Sequence, residues 1–396
     1  MAGIVFNIQQ GGLGRQQPGN DYISGFIFQN STALLAGAVQ KVSTLSEAEA
    51  LGVTVAAYPV EHYHISEFFS MAQNVTGLAQ GILYFMIKNI ATTTYDGTEI
   101  SDIQYFASGD IRQVGVFLYD PYLAGMVTDS QTVCDTLAAE SMPLSVIIAA
   151  DFTALTIGTL ADARTLDSEN VSICIGEDAN GVGGALAIAE GNSITCLGAA
   201  LGIEAQASVN QNIGWRGQFN VIHSTEYEVL NFATGESVAD QSQATIDALT
   251  EDGYIFLVKE VGQTASYFND SATATLITSD YAYIENKRTI DKAIRLIREN
   301  LINKINSPLL VDPTTGKLSE STISDFKNDA FKALENMAAN SEISTNSDGT
   351  LPANSVLINP DQNVLTTSNV IMTIQIVPYG VARTITVNIG FVTSIS

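Results

Sequence analysis

The stretch DYAYIENKRTIDKAIRLIRENLINKI, residues 280–305, carries the clearest periodicity in the chain. Its apolar residues recur at spacings of four, three and four, which places them on one stripe of a long amphipathic helix. These residues are Ile290, Ile294, Ile297 and Leu301. The opposite side and its flank carry a basic ridge, made of Arg288, Lys292, Arg295 and Arg298. The pattern predicts that the apolar stripe is buried and that the basic ridge faces outward.

The basic ridge is unusual because the chain as a whole is acidic. The sequence has 17 Lys+Arg against 42 Asp+Glu, a net charge of -25, and more than half of the cations fall within residues 287–332. One interpretation is an ordinary solvated face of an amphipathic helix, and the other is a docking surface for an acidic partner. The net charge argues against binding to nucleic acid or to an anionic membrane.

Length and composition favour a chain of several domains. At 396 residues the chain exceeds the size at which one core usually keeps growing, and its character changes after Asp270. We expect an N-terminal arm with a Gly-rich tether, a large α/β region, a C-terminal domain of helices on a sheet and a C-terminal arm strand. Their bounds are residues 1–20, 21–270, 271–377 and 378–396.

The large region alternates strands with helices, which is typical of α/β layering around a partly parallel sheet. We predict strands at residues 22–29, 83–87, 114–119, 144–149 and 171–175, and helices at 61–73, 130–141 and 243–251. A buried helix is expected over 183–207, broken around Gly191, and another helix over 319–339.

Each end of the chain carries a short strand with one apolar side. These apolar residues are Ile4, Phe6 and Ile8 at the N-terminus and Ile385, Val387, Ile389 and Phe391 at the C-terminus. The two strands either pair within one monomer or are donated to the sheets of neighbouring subunits. Donation is head-to-tail, so it builds rings or helical filaments.

The sequence has no recognisable catalytic signature, and we expect no enzymatic activity, no metal and no cofactor. The glycines of residues 176–184 lack a P-loop lysine and the Rossmann pattern. Asp120 and Asp151 follow apolar strands, but caps and turns explain single aspartates there more simply than Mg²⁺ does. His62 and His64 lie in a predicted helix, where a structural role is expected.

Three cysteines, Cys134, Cys174 and Cys196, have no CxxC spacing and are expected to be buried thiols. Their sparse, odd number fits assembly in a reducing cytoplasm. The N-terminus lacks the pattern of a signal peptide, and no apolar run is long enough for a membrane span. We therefore predict assembly in the cytoplasm and no direct membrane insertion.

The C-terminal third resembles the C-terminal domain of contractile phage tail sheath proteins, which phage-tail-like contractile injection systems share. The resemblance rests on TSDYAYIENKRTIDKAIRLIRENL (278–301), the helix that follows, NVIMTIQIVPYG (369–380) and ARTITVNIGFV (382–392). The segment SVNQNIGWRGQFN (208–220) is similar to a region of the same family. The order of these elements carries the resemblance, since no single motif is diagnostic.

The resemblance implies a multidomain α/β and α+β sheath fold with an outer α/β domain, an inner C-terminal domain and strand-exchanging arms. It implies a structural subunit that stacks as hexameric rings around an inner tail tube protein and contacts baseplate and tail terminator proteins. It also implies that the apolar residues of both terminal strands are exchanged between subunits and that the basic ridge faces the tube. Another self-assembling shell or surface-layer protein, or an α/β enzyme with a ligand near Asp120, Asp151 or Gly176, remains an alternative.

Overall fold

The computed structural model of the protein describes residues 21–72, 81–89 and 94–387. It divides into two compact units, Met1–Glu299 and Asn300–Ser396. The division falls within the long helix, whereas the sequence predicts a change of domain after residue 270.

The first unit is an α/β structure. Its strands are β1 (Ile23–Asn30), β2 (Gln40–Val42), β3 (Ile82–Asn89), β4 (Gln113–Pro121), β5 (Ser145–Asp151), β6 (Val171–Cys174), β7 (Gly176–Asp178), β8 (Leu230–Phe232), β9 (Tyr254–Ile255), β10 (Leu257–Lys259) and β11 (Ser266–Phe268). Its helices are α1 (Leu45–Ala50), α2 (Pro59–Met71), α3 (Thr98–Phe106), α4 (Ala124–Ala139), α5 (Val182–Glu190), α6 (Leu197–Gln206), α7 (Gln243–Glu251) and α8 (Ile284–Leu301), the last of which ends just beyond the unit.

A twisted, mostly parallel sheet forms the centre of this unit. Its strand order in the described residues is β2-β3-β1-β4-β5-β6-β9, and only the β2–β3 pair is antiparallel. Strands β1, β4 and β5 are buried along most of their length, as expected for parallel strands covered on both faces. The predicted α/β layering is confirmed.

Helices cover both faces of the sheet because successive strand residues point to opposite sides. Phe26 and Phe28 of β1 belong to a core cluster that also holds buried residues of α2 and α6. Ile27, between them, belongs to a second cluster with buried residues of α3 and α4. The alternation along one strand therefore anchors two separate hydrophobic layers.

Several local predictions agree closely with the structure. The stripe Ile65, Phe68, Phe69 and Met71 of α2 is buried. Helix α7 has the predicted bounds, with the Ser242 hydroxyl accepting from the Thr245 N–H as its N-cap. The break between α5 and α6 occurs at Gly191, whose φ of +63° favours glycine. All three cysteines are buried free thiols.

The second unit is small and helical, with a two-stranded antiparallel sheet. Its elements are α9 (Glu320–Ala339), β12 (Val356–Ile358), α10 (Val364–Thr367) and β13 (Met372–Ile374). Helix α9 begins after Ser319, whose side chain accepts from the Thr322 N–H as its N-cap, and its stripe of Phe326, Ala330, Leu334 and Met337 is buried. A small core of Leu318, Phe326 and Ile358 joins the helix to the sheet.

The terminal strands are only partly within the described residues. Residues 379–387 form no helix or strand, and Ile385 and Val387 are 79% and 73% exposed. Ile389 and Phe391 lie outside the described residues, as do Ile4, Phe6 and Ile8 of the predicted N-terminal strand. Exchange of these strands between subunits stays a prediction.

Candidate functional site

Helix α8 buries the face that the sequence predicts to be exposed. Arg288 and Lys292 are 4% and 1% exposed, whereas Ile294 on the other side is 46% exposed. The prediction of an outward-facing basic ridge is therefore wrong for these two residues and for the half-buried Arg295. The predicted burial of the apolar stripe is wrong for Ile294 and only partly correct for Ile290 and Ile297, which are half-buried.

Asp21, which lies just before β1, accounts for much of this reversal. The Lys292 Nζ donates to Asp21 Oδ2 at 2.6 Å, and Arg295 Nη2 donates to Asp21 Oδ1 at 2.9 Å. Burial lowers the pKa of Arg295, and the negative charge of Asp21 opposes that shift. One carboxylate from the start of the central sheet thus pairs with two cations of α8.

Two further carboxylates complete the inward face. Asp291 accepts from Lys287 Nζ at 2.9 Å, four residues away on the same helix. Glu204 of α6 lies 3.8 Å from Arg288 Nε and accepts from the Ser145 hydroxyl at 2.6 Å. Burial raises the pKa of both carboxyls, and the adjacent cations oppose it.

The start of α8 is fixed by a buried hydrogen-bond network. The Asn212 side-chain amide donates to Asp270 at 2.5 Å and to Ser271 at 3.0 Å. The Ser271 hydroxyl donates to the Glu285 carboxylate, and the Thr289 hydroxyl donates to the Glu285 carbonyl oxygen at 2.7 Å. The segment around Asn212 that carries part of the family resemblance therefore positions α8.

Sequence reasoning missed Asp21, Glu204 and Asn212 as partners of α8. Each lies more than 70 residues from its partner in the chain, and no spacing rule links such distant positions. The one indication in the sequence was the charge imbalance. Because the chain has many more carboxylates than cations, clustered cations can pair with carboxylates of the same fold. Nothing in the sequence indicated which ones.

The outward face of α8, defined here as Ile290, Ile294, Ile297 and Arg298, is what the helix presents away from its buried charges. Ile294 and Arg298 are exposed, and Ile290 and Ile297 are half-buried. Apolar residues at helical spacing on an exposed face are typical of protein–protein contacts. Arg298 is the member of the predicted basic ridge that is exposed as expected.

The residues considered for chemistry have structural roles. Strands β4 and β5 pair Pro121 with Asp151, so Asp120 and Asp151 do lie at one edge of the sheet. Asp151 Oδ1 accepts from the Ser193 hydroxyl at 3.2 Å and from the Thr153 N–H at 3.0 Å, which fixes the loops there. Among the described residues, no group of three or more His, Cys, Asp or Glu is placed to hold a metal ion.

The histidines and the glycine-rich turn are likewise packed into the fold. His64 is buried with its ring centre 4.8 Å from that of Phe117, and burial lowers its pKa to about 3, so it is neutral at pH 7. His62 Nε2 lies 2.9 Å from a Glu49 carboxylate oxygen. A Cβ on Gly176 would lie 2.8 Å from Cys196 Sγ, so this glycine serves close packing.

No helix within the described ranges combines the length and apolarity needed to cross a bilayer.

Two family descriptions match the sequence. Residues 1–272 match the DUF2586 N-terminal domain, and residues 280–396 match the DUF2586 C-terminal domain. A search of curated protein sequences found no match.

Solved structures of sheath proteins share the fold over nearly the whole chain. The helical sheath of the anti-feeding prophage in its contracted state matches with a TM-score of 0.64 and 12% identity, over 98% of both chains. The sheath tail protein of Listeria innocua matches with a TM-score of 0.57 and 10% identity, over 92% of this chain and 93% of its own. The sheath tail protein of Desulfitobacterium hafniense matches with a TM-score of 0.52 and 11% identity, over 95% of this chain and 100% of its own. The chain belongs to the DUF2586 family, and its fold is that of the contractile tail sheath proteins.

Proposed function

We propose that this protein is the structural subunit of a contractile sheath, which stacks as hexameric rings around an inner tube and contracts to drive the tube through a target envelope. The observation that carries the proposal is the match to the anti-feeding prophage sheath over 98% of both chains.

The terminal strands connect the subunits in this proposal. Each apolar strand of one chain adds to a neighbour's sheet, with main-chain hydrogen bonds giving affinity and alternate side chains giving register. Exposure of Ile385 and Val387 supports this, because an apolar strand residue without a core of its own is stabilised by a partner sheet. The arms keep the subunits connected while the rings rotate and slide.

The contact with the inner tube uses the outward face of α8 rather than the full basic ridge. Arg288 and Lys292 are buried against carboxylates of the same chain, so they are not available to an external partner. Ile294 and Arg298 are exposed and four residues apart, hence adjacent on the helix surface. An apolar contact with one flanking cation predicts tube binding that depends only weakly on salt.

Contraction needs no enzymatic step in this proposal. An extended sheath is metastable, and a trigger from the baseplate releases it to a state with a larger buried interface. The difference in burial between the two states supplies the energy. The particle is assembled in the bacterial cytoplasm, which suits three buried free thiols.

Electron microscopy of the purified protein, with and without the tube protein encoded beside it, tests the proposal. We expect hollow helical tubes of stacked rings whose length follows the tube. Closed shells or flat lattices that form independently of a tube would favour a surface-layer or shell protein. A dispersed monomer under both conditions would contradict the sheath function.

Deletion of residues 1–10 or 383–396 tests the arms separately. Each deletion is expected to leave soluble monomers with an intact far-ultraviolet circular dichroism spectrum. Normal tubular polymers from either truncated protein would rule out strand exchange as the connection between subunits.

A further inference from the structure

A small cavity lies beneath α8 in the first unit. It is lined by Asp21, Arg112, Val209, Arg288, Asp291 and Arg295. Its size suits one water molecule or one monatomic ion, and not a polyatomic group such as phosphate. Three guanidinium groups therefore share one very small space.

Two of these guanidinium groups have buried N–H donors without an acceptor among the described residues. They are Nη1 of Arg288 and Nε of Arg112. Another nitrogen of each guanidinium group does donate a hydrogen bond. Arg288 Nη2 donates to the Ala207 carbonyl oxygen at 3.3 Å, and Arg112 Nη1 donates to the Gly109 carbonyl oxygen at 2.7 Å. A buried donor left unpaired costs about 1–3 kcal/mol, so an acceptor in the cavity that both residues line would stabilise the fold.

Each carboxylate that lines the cavity is already paired with a cation, and for Asp21 one of these cations is Arg295 of the cavity itself. Asp21 pairs with Lys292 and Arg295, and Asp291 pairs with Lys287. Within the described ranges, Arg112 has no carboxylate at ion-pair distance. Burial and the nearby charge of Arg295 lower the pKa of Arg112 to about 10, and the charges of Asp21 and Asp110 oppose this shift.

We propose that this cavity binds a single chloride ion. A chloride accepts hydrogen bonds from both unpaired donors and supplies a negative charge beside Arg112, whereas Arg295 and Arg288 already have Asp21 and Glu204 at ion-pair distance. A water molecule satisfies the donors but leaves the repulsion between Arg112 and Arg295 in place. The bound ion thereby holds α8 against the start of β1 and the loop before β4, independently of any assembly into a sheath.

The test compares thermal unfolding of the purified full-length protein in sodium chloride and in sodium gluconate at equal ionic strength, because gluconate is too large for the cavity. We expect the midpoint to be higher in chloride, by a few degrees, and to rise with chloride concentration as specific binding requires. Arg112→Met is expected to remove the difference between the two salts. The control, Arg298→Met on the exposed side of α8, is expected to retain it.

A second measurement uses only the wild-type protein, so its result does not depend on whether a variant folds. Crystals of the wild-type protein grown in sodium bromide are expected to show an anomalous scattering peak among Arg112, Arg288 and Arg295. Three results would each overturn the proposal. They are equal unfolding midpoints in the two salts, a chloride response that Arg112→Met retains, and a cavity that shows water but no anomalous signal. The sheath function is unaffected by these outcomes, since tube formation is measured separately.

Discussion

Helices α8 and α9 have the same kind of sequence pattern but bury opposite kinds of face. In α9 the apolar stripe that includes Leu334 and Met337 is buried, as its periodicity predicts. In α8 the basic residues Arg288 and Lys292 are buried, and Ile294 is exposed. Both helices are amphipathic, so their periodicity alone does not separate them.

The difference lies in what each helix packs against. Opposite α9 are apolar residues such as Leu318 and Ile358, which favour an apolar face. Opposite α8 are Asp21 and Glu204, which favour a basic one. Taking a charge out of water costs several kcal/mol unless a partner compensates it. The basic face of α8 is therefore held by specific ion pairs rather than by burial of apolar surface area. On its apolar side Ile294 is exposed, and Ile290 and Ile297 are half-buried.

The largest effect is expected from reversing a buried charge of α8. Lys292→Glu places a second carboxylate against Asp21 in a buried position, and we expect it to destabilise the first unit by about 3–5 kcal/mol or to prevent folding. Urea denaturation followed by circular dichroism measures the loss.

The matched control is Lys292→Met, which keeps the volume without adding a like charge. It is expected to cost less than the reversal, because only Asp21 loses a partner and Arg295 remains beside it. Equal stability of the wild type and Lys292→Glu would show that the basic face of α8 is not buried as described.

The second-largest effect is expected in α9. Leu334 is fully buried, so Leu334→Ala removes apolar contacts and leaves a cavity, which costs about 2–4 kcal/mol. The control on the same helix is Lys332→Ala, at an exposed position. Hydrogen exchange of the α9 amides monitors unfolding of the second unit and measures the stability lost in each variant. Equal losses in Leu334→Ala and Lys332→Ala would contradict the burial of the stripe.

The two units are also expected to respond differently to pH. Burial raises the pKa of Glu61 to about 7, of Glu177 to about 8 and of Asp178 to about 6, and the hydrogen bond to Glu67 raises that of His223 to about 9. Each group binds its proton more tightly when folded, so stability that is present at low pH is lost as the pH rises through these values.

In the second unit the pKa of Asp329, which accepts from Lys304, is lowered. The stability that it adds is present near neutral pH and is lost only on acidification. Between pH 6.5 and 9 we therefore expect the first unit to lose stability while the second changes little. Hydrogen exchange measured at both pH values, corrected for the intrinsic rate, resolves the two units.

A single substitution sharpens this prediction. Glu177→Gln removes one titrating group and should reduce the pH dependence of the first unit by up to about 1.4 kcal/mol per pH unit near pH 7–8. An unchanged slope would mean that Glu177 does not retain its proton in the folded protein.

The smallest effect on stability is expected on the outward face of α8. Ile294→Ser should change the free energy of unfolding by less than about 0.5 kcal/mol, because the side chain is nearly half exposed. The same change is expected to weaken binding of the tube protein in co-sedimentation. If Ile294→Ser and Arg298→Ser both bound the tube protein as strongly as the wild type does, the outward face of α8 would not be the tube contact.

Sequence reasoning worked best where one local rule decides the outcome. The bounds of α7 and the break at Gly191 both follow from backbone chemistry within one element. It failed for α8, where the answer depends on Asp21 and Glu204, residues far away in the chain that only the folded sheet brings to the helix.

The sequence by itself determined the partly parallel α/β layering and the sharing of one helix face by Arg288, Lys292 and Arg295. These features follow from the residue period and from capping, which act over a few residues. The tertiary structure alone decided which face of α8 is buried, because the cost of burying a charge depends on the partner that the fold supplies. The exposure of Ile294, on the face proposed to contact the tube, is a consequence of that choice.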